Sequence, residues 1–146
     1  MSQILVNNVQ KVFKTPGKDV VALKDINLEI KAGEFVCLLG PSGCGKSTLL
    51  NAVAGFALPS AGEITVEGKK ITGPGPDRGM VFQEYALFPW MTVGQNIAFG
   101  LEIQKKEKAE IDLTVNQLLD LLHLRDFRDR FPKDLSGGMR QRVAIA

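Results

Sequence analysis

Residues 35–56 read FVCLLGPSGCGKSTLLNAVAGF. The apolar run FVCLL has no polar alternation, which predicts a short strand buried on both faces. After the glycine-rich stretch, Leu49, Leu50, Val53 and Ala54 recur at helical spacing. The loop between strand and helix, Gly40, Pro41, Ser42, Gly43, Cys44, Gly45, Lys46 and Ser47, fits G-x-x-x-x-G-K-[ST] in the context that pattern requires. Its chemistry explains its residue types. Glycines let the backbone curl so that successive N–H groups point inward at phosphate oxygens, and the helix N-terminus adds its positive end. Lys46 is expected to reach the outer phosphates as a mobile point charge, and Ser47 to ligate Mg²⁺ through its hydroxyl. Thr48 joins the same expected phosphate site.

Composition narrows the field. The chain has 146 residues and a net charge of +2, one domain's worth of sequence without the basic excess that nucleic acid demands. Lys105, Lys106 and Lys108 flank Glu107, and Arg125, Arg128 and Arg130 alternate with Asp126 and Asp129, the pattern of a solvated surface. No apolar run approaches the roughly 18 residues needed to cross a bilayer. The start, MSQILVNNVQ, is too polar for a signal peptide, so folding in the cytoplasm is expected. Cys37 and Cys44 suit a reducing compartment, and a bond between them is not expected.

The segments ILVNNVQKVF and VALKDINLEI, separated by the turn-forming KTPGKD, predict two strands. GEITVEGKKI predicts a small hairpin or edge strand, and GMVFQ a further buried strand. TGPGPDRG is no dinucleotide loop, because Pro74 and Pro76 remove the N–H donors such a loop needs. It reads as a rigid connector. Residues 92–103 predict a short helix. In EIDLTVNQLLDLLHL, Ile111, Val115, Leu118, Leu119 and Leu122 share one face of an amphipathic helix. The last segment, KDLSGGMRQRVAIA, reads as a helix opening capped by Ser136.

A phosphate loop followed by VFQE and then LSGGMRQRVAIA resembles the ATP-binding cassette (ABC) family, whose LSGGQ signature sets it apart from other P-loop proteins. The resemblance runs from about Gln3 to Ala146. GPSGCGKSTLL, TGPGPDRGMVFQEYALFPWMTV and LSGGMRQRVAIA together are similar to the nitrate, sulfonate and taurine importer branch. No NKxD motif of a GTPase is present.

The resemblance implies an α/β P-loop NTPase of the ABC type over residues 1–146, with an N-terminal antiparallel β portion and a helical signature segment. It also implies ATP and Mg²⁺ as cofactors. Phe13 stands where the family stacks an aromatic on adenine, although a strand-core residue is the simpler alternative. Gln83 matches the Q-loop glutamine, near the metal and attacking water. Ser136, Gly137 and Gly138 match the signature, which contacts the γ-phosphate held by a second subunit in a head-to-tail dimer. Met139 departs from the usual glutamine. The stretch EYALFPWMTVGQNIAFG implies docking of integral membrane subunits near Tyr85, Phe88 and Trp90, with core packing as the alternative. A solute-binding protein would be an indirect partner, and the site of work the inner face of the plasma membrane. His123 is not the family's switch histidine and is expected at a helix end.

In the family, a further strand with the Walker B aspartate and catalytic glutamate follows the signature, and then the switch histidine. These lie past Ala146, so nucleotide binding without efficient hydrolysis is expected of residues 1–146, and the central sheet is expected to be incomplete, with FVCLL exposed. The expected function is that of an importer's ATP-binding subunit. The alternatives are a non-catalytic nucleotide-binding or regulatory module, or a soluble ABC ATPase of translation or DNA repair. Nothing in the sequence reads a transported solute.

Overall fold

The computed structural model describes residues 4–146, so the beginning of the resemblance at Gln3 lies outside the described residues. The chain divides into two compact units at Met80 and Val81.

The first unit is built on an antiparallel sheet of order β2-β1-β3-β4, with β1 Ile4–Thr15, β2 Lys18–Ile30, β3 Ala61–Val66 and β4 Lys69–Lys70. The turn between β1 and β2 is Pro16-Gly17, with Gly17 at φ 91°, the positive value a type II turn demands at that position. A second tight turn, Glu67-Gly68, has φ of 50° and 75° and joins β3 to β4 with the twist that suits a hairpin. The connector TGPGPDRG closes on itself where Arg78 donates to the Gly73 carbonyl at 2.7 Å.

One irregularity decides which side chains β1 buries. Val6 and Val9 are both buried although three residues apart, which strict strand alternation forbids. The register with β2 shifts between them, and Asn8 takes φ 47°. This is a β-bulge, placed on a residue that tolerates the left-handed region. The bulge drives the Asn7 and Asn8 carbonyls against β3 at Gly62, where a side chain would collide with them. Helix α1, Lys46–Ala54, lays Leu49 and Ala52 on the core formed by Val6, Val9, Leu23, Ile64, Val66 and Ile71. Leu50, expected on the same face, is exposed, and Ala52 takes its place.

Two expected buried strands are absent. Residues 34–40 form no strand, and Phe35 and Leu39 are 90% and 92% exposed. Residues 79–83 form none either, and Val81 is exposed. A central strand exists only while neighbours on both edges take up its N–H and C=O groups. No strand among the described residues pairs with either run.

The second unit is helical: α2 Val93–Ile103, α3 Lys108–Leu121 and α4 Gly137–Ile145, with short 3₁₀ turns between α3 and α4. Thr92 caps α2 in a reciprocal box, its hydroxyl accepting from Gln95 N–H at 3.3 Å while Gln95 Oε1 accepts from Thr92 N–H at 2.8 Å. The expected face of α3 is the one that packs, with Val115 and Leu119 buried and Ile111, Leu118 and Leu122 beside them. His123 ends α3 at φ 56°, its N–H on the Asp120 carbonyl and that of Leu124 on Leu119, a Schellman arrangement. It is an exposed helix-end residue, as expected.

Candidate phosphate-binding site and signature helix

In the first unit the glycine loop curls around the Lys46 ammonium. Nζ donates to the Gly40 and Pro41 carbonyls, each at 2.7 Å, and lies 3.5 Å from Cys44 Sγ. Gly45 precedes α1 at φ 99°, and a Cβ there would sit 2.6 Å from the Ala22 carbonyl of β2. Only glycine satisfies both demands. The helix has no side-chain cap and no acid in its first turn. Its opening N–H groups therefore lack an internal partner and meet no competing negative charge, as an anion site requires.

A cleft of about 310 Å³ opens there, lined by Ser42, Gly43, Gly45, Lys46, Ser47 and Thr48 on one side and by Val20 to Ala22 of β2 on the other. Ser47 is exposed at its mouth, where a hydroxyl suits one oxygen position of Mg²⁺ and phosphate oxygens suit others. Phe13 pairs with Val20 across the β1–β2 ladder, so an aromatic ring, 42% exposed, stands one strand from the cleft wall. The Lys11 ammonium lies 5.2 Å from that ring.

The second unit carries the other expected residues. Ser136 caps α4, its hydroxyl accepting from Met139 N–H at 3.3 Å and keeping its own hydrogen to donate. Gly137 and Gly138 open the helix. Met139 packs against the core of this unit, which accounts for an apolar residue at that position. Gln83 is an exposed loop residue. Of the three expected docking residues, Trp90 is 70% exposed, while Phe88 is half-buried with Trp90 at 5.6 Å and Phe99 at 4.6 Å between ring centroids. Tyr85 is also half-buried and is turned to α4, with the Arg140 guanidinium 5.1 Å from its ring centre.

A larger cleft, about 480 Å³, lies between α2 and α3. Two of its three cations are engaged: Arg128 with Asp112 and Asn116, each at 2.8 Å, and Lys106 with Glu110 at 2.8 Å, while Asp112, Asp129 and Glu102 line the same cleft with negative charge. The glycine-loop cleft, with its uncapped helix, is therefore the better phosphate site.

Residues 23–146 match the ABC transporter family. The chain belongs to that family. Among its ABC relatives, the taurine import ATP-binding protein TauB of Roseobacter denitrificans is 51% identical over 147 residues, covering 100% of this chain and 55% of the relative. The nitrate import ATP-binding protein NrtD of Synechocystis is 52% identical over 141 residues, 97% of this chain and 53% of the relative. The chain thus spans about half the length of these curated relatives. Among solved ABC structures, the ATP-binding cassette MJ0796, described as a dimer in a post-hydrolysis state bound to ADP and Pi, superposes with a TM-score of 0.86 at 34% identity. That match covers 97% of this chain and 67% of the other.

Sequence reasoning passed over Asn96. Its amide accepts from Phe88 N–H at 2.8 Å and donates to the Phe88, Met91 and Thr92 carbonyls, tying the aromatic loop to α2. The signal was available in an asparagine one helical turn beyond the Thr92 cap. The Tyr85–Arg140 contact spans 55 residues and left no local mark.

Proposed function

We propose that this chain is the nucleotide-binding part of the ATP-binding subunit of an ABC importer, in the branch that handles nitrate, taurine and similar small solutes. The observation that carries the reading is the glycine loop closing on Lys46 beside an uncapped helix N-terminus, in a chain of the ABC family. The loop and the first turn of α1 bind the triphosphate. Lys46 exchanges its two loop carbonyls for phosphate oxygens, and Phe13 offers a face to the base. Mg²⁺, arriving with ATP, would be held by the Ser47 hydroxyl and would draw negative charge off the terminal phosphate.

Ser136, Gly137 and Gly138 complete the site of a second subunit, head to tail. A serine hydroxyl and the free N–H groups at the start of α4 suit a γ-phosphate presented from outside. The membrane subunits dock at the aromatic loop, with Trp90 as the anchor, since a large exposed indole is the residue most often found at the centre of an interface. The complex works at the inner face of the plasma membrane. Consistent with a peripheral role, no helix of the described residues is long and apolar enough to cross a membrane.

No carboxylate is among the described residues lining the phosphate cleft, so binding is the activity assigned to these residues. The test measures Mg-ATP binding and steady-state ATP turnover by residues 1–146. Binding without efficient turnover is expected. Turnover by residues 1–146 that disappears in Lys46→Ala would overturn the assignment.

A further inference from the structure

Tyr85 lies two residues beyond Gln83, and its side chain is committed to α4. A Cβ built on Gly137 would stand 3.0 Å from the Tyr85 hydroxyl, close enough that the hydroxyl would have to give by a few tenths of an ångström. Arg140, one turn further along α4, places its guanidinium over the same ring at 5.1 Å and donates to the Leu135 carbonyl at 2.7 Å. Arg140 therefore covers the face of the ring, and the hydroxyl stands where a side chain at position 137 would begin. Gly137 does not have a positive φ, so nothing in the backbone demands glycine there. In a helix, alanine would be the favoured residue by about 1 kcal/mol. The space that glycine leaves is occupied by the tyrosine.

We propose that Tyr85 is a positioning residue that transmits the placement of the Gln83 segment to the N-terminus of α4. A displacement of residues 83–85 carries the ring with it, and the ring lies against Gly137 and Arg140 of α4. The first turn of α4 presents the Ser136 hydroxyl and the free N–H groups. A shift there changes how well the helix meets a phosphate. The inference rests on the reading that α4 contacts the nucleotide of a second subunit.

The experiment measures steady-state ATP turnover of the complete ATPase assembled with its membrane partners, for Gly137→Ala, Tyr85→Phe and the double variant. Gly137→Ala is expected to lower kcat about tenfold or more with little change in KM, because a small misplacement of a catalytic element is costly. Removing the tyrosine hydroxyl makes room for the new methyl, so adding Tyr85→Phe to Gly137→Ala is expected to restore kcat about fivefold over Gly137→Ala alone. If Gly137→Ala loses turnover and Tyr85→Phe restores none of it, the glycine serves phosphate approach alone. The Tyr85 inference then falls while the reading of α4 stands. If Gly137→Ala turns over like wild type, both fall.

Discussion

Two helix N-termini in this protein are assigned to phosphate under the proposed function, and they are built differently. Helix α1 begins at Gly45 with no side-chain cap, and Lys46 stands at its first position. Helix α4 begins at Ser136, whose hydroxyl already accepts from Met139, and its opening residues are two glycines. The first is a donor set without an internal partner and with its own cation, and under the proposed function it is the one that binds the phosphate. The second is partly satisfied and carries no lysine in its opening turn, so it contributes to a phosphate held by something else. The contrast separates a primary site from a supplementary one by physical means: the number of free N–H groups and the presence of a mobile charge.

Variants at the two helices test that separation. Lys46→Ala removes the charge-assisted contacts, and Mg-ATP affinity measured by calorimetry is expected to fall about 10²-fold, near 2.7 kcal/mol. Gly45→Ala forces a side chain into the left-handed region and against the Ala22 carbonyl. Thermal unfolding of the first unit is expected to show a loss of about 2 kcal/mol or more. Ser136→Ala takes the acceptor from Met139 N–H and is expected to cost about 1 kcal/mol in denaturant unfolding of the second unit. An equal loss of ATP affinity in Ser136→Ala and Lys46→Ala would erase the distinction. The smallest effect is at the end of α3, away from both sites. His123→Gly relieves a left-handed residue and is expected to stabilise by about 0.5 kcal/mol, leaving both helix N-termini unaltered.

What could be read in advance follows the range of the forces involved. The β1–β2 pair, the β3–β4 hairpin, the helix α2, α3 with its apolar face and the Ser136 cap of α4 all depend on neighbours a few residues away. All were legible. FVCLL and GMVFQ were read as buried strands because apolar runs of that length usually are, yet a strand is a property of a pair, and no strand among the described residues pairs with either run. The Asn7–Asn8 bulge was invisible for a related reason: it exists to bring Val6 and Val9 to one face, a demand set by the sheet. At the sites, the glycine loop announced itself because its chemistry is contiguous. Tyr85 did not, because its role is defined by Gly137 and Arg140, more than fifty residues away.

Nucleotide seated in the loop before α1 would be reported directly by the two exposed cysteines. Cys44 lies in the loop, 3.5 Å from Lys46 Nζ, and Cys37 lies in the apolar run before it. Alkylation of each is followed by mass spectrometry with and without Mg-ATP. At ATP about ten times its Kd, labelling of Cys44 is predicted to slow about tenfold, in proportion to occupancy, while Cys37 reacts at its original rate. Equal rates at Cys44 with and without saturating Mg-ATP would contradict the account, because a triphosphate seated among those N–H groups cannot leave that thiol freely accessible.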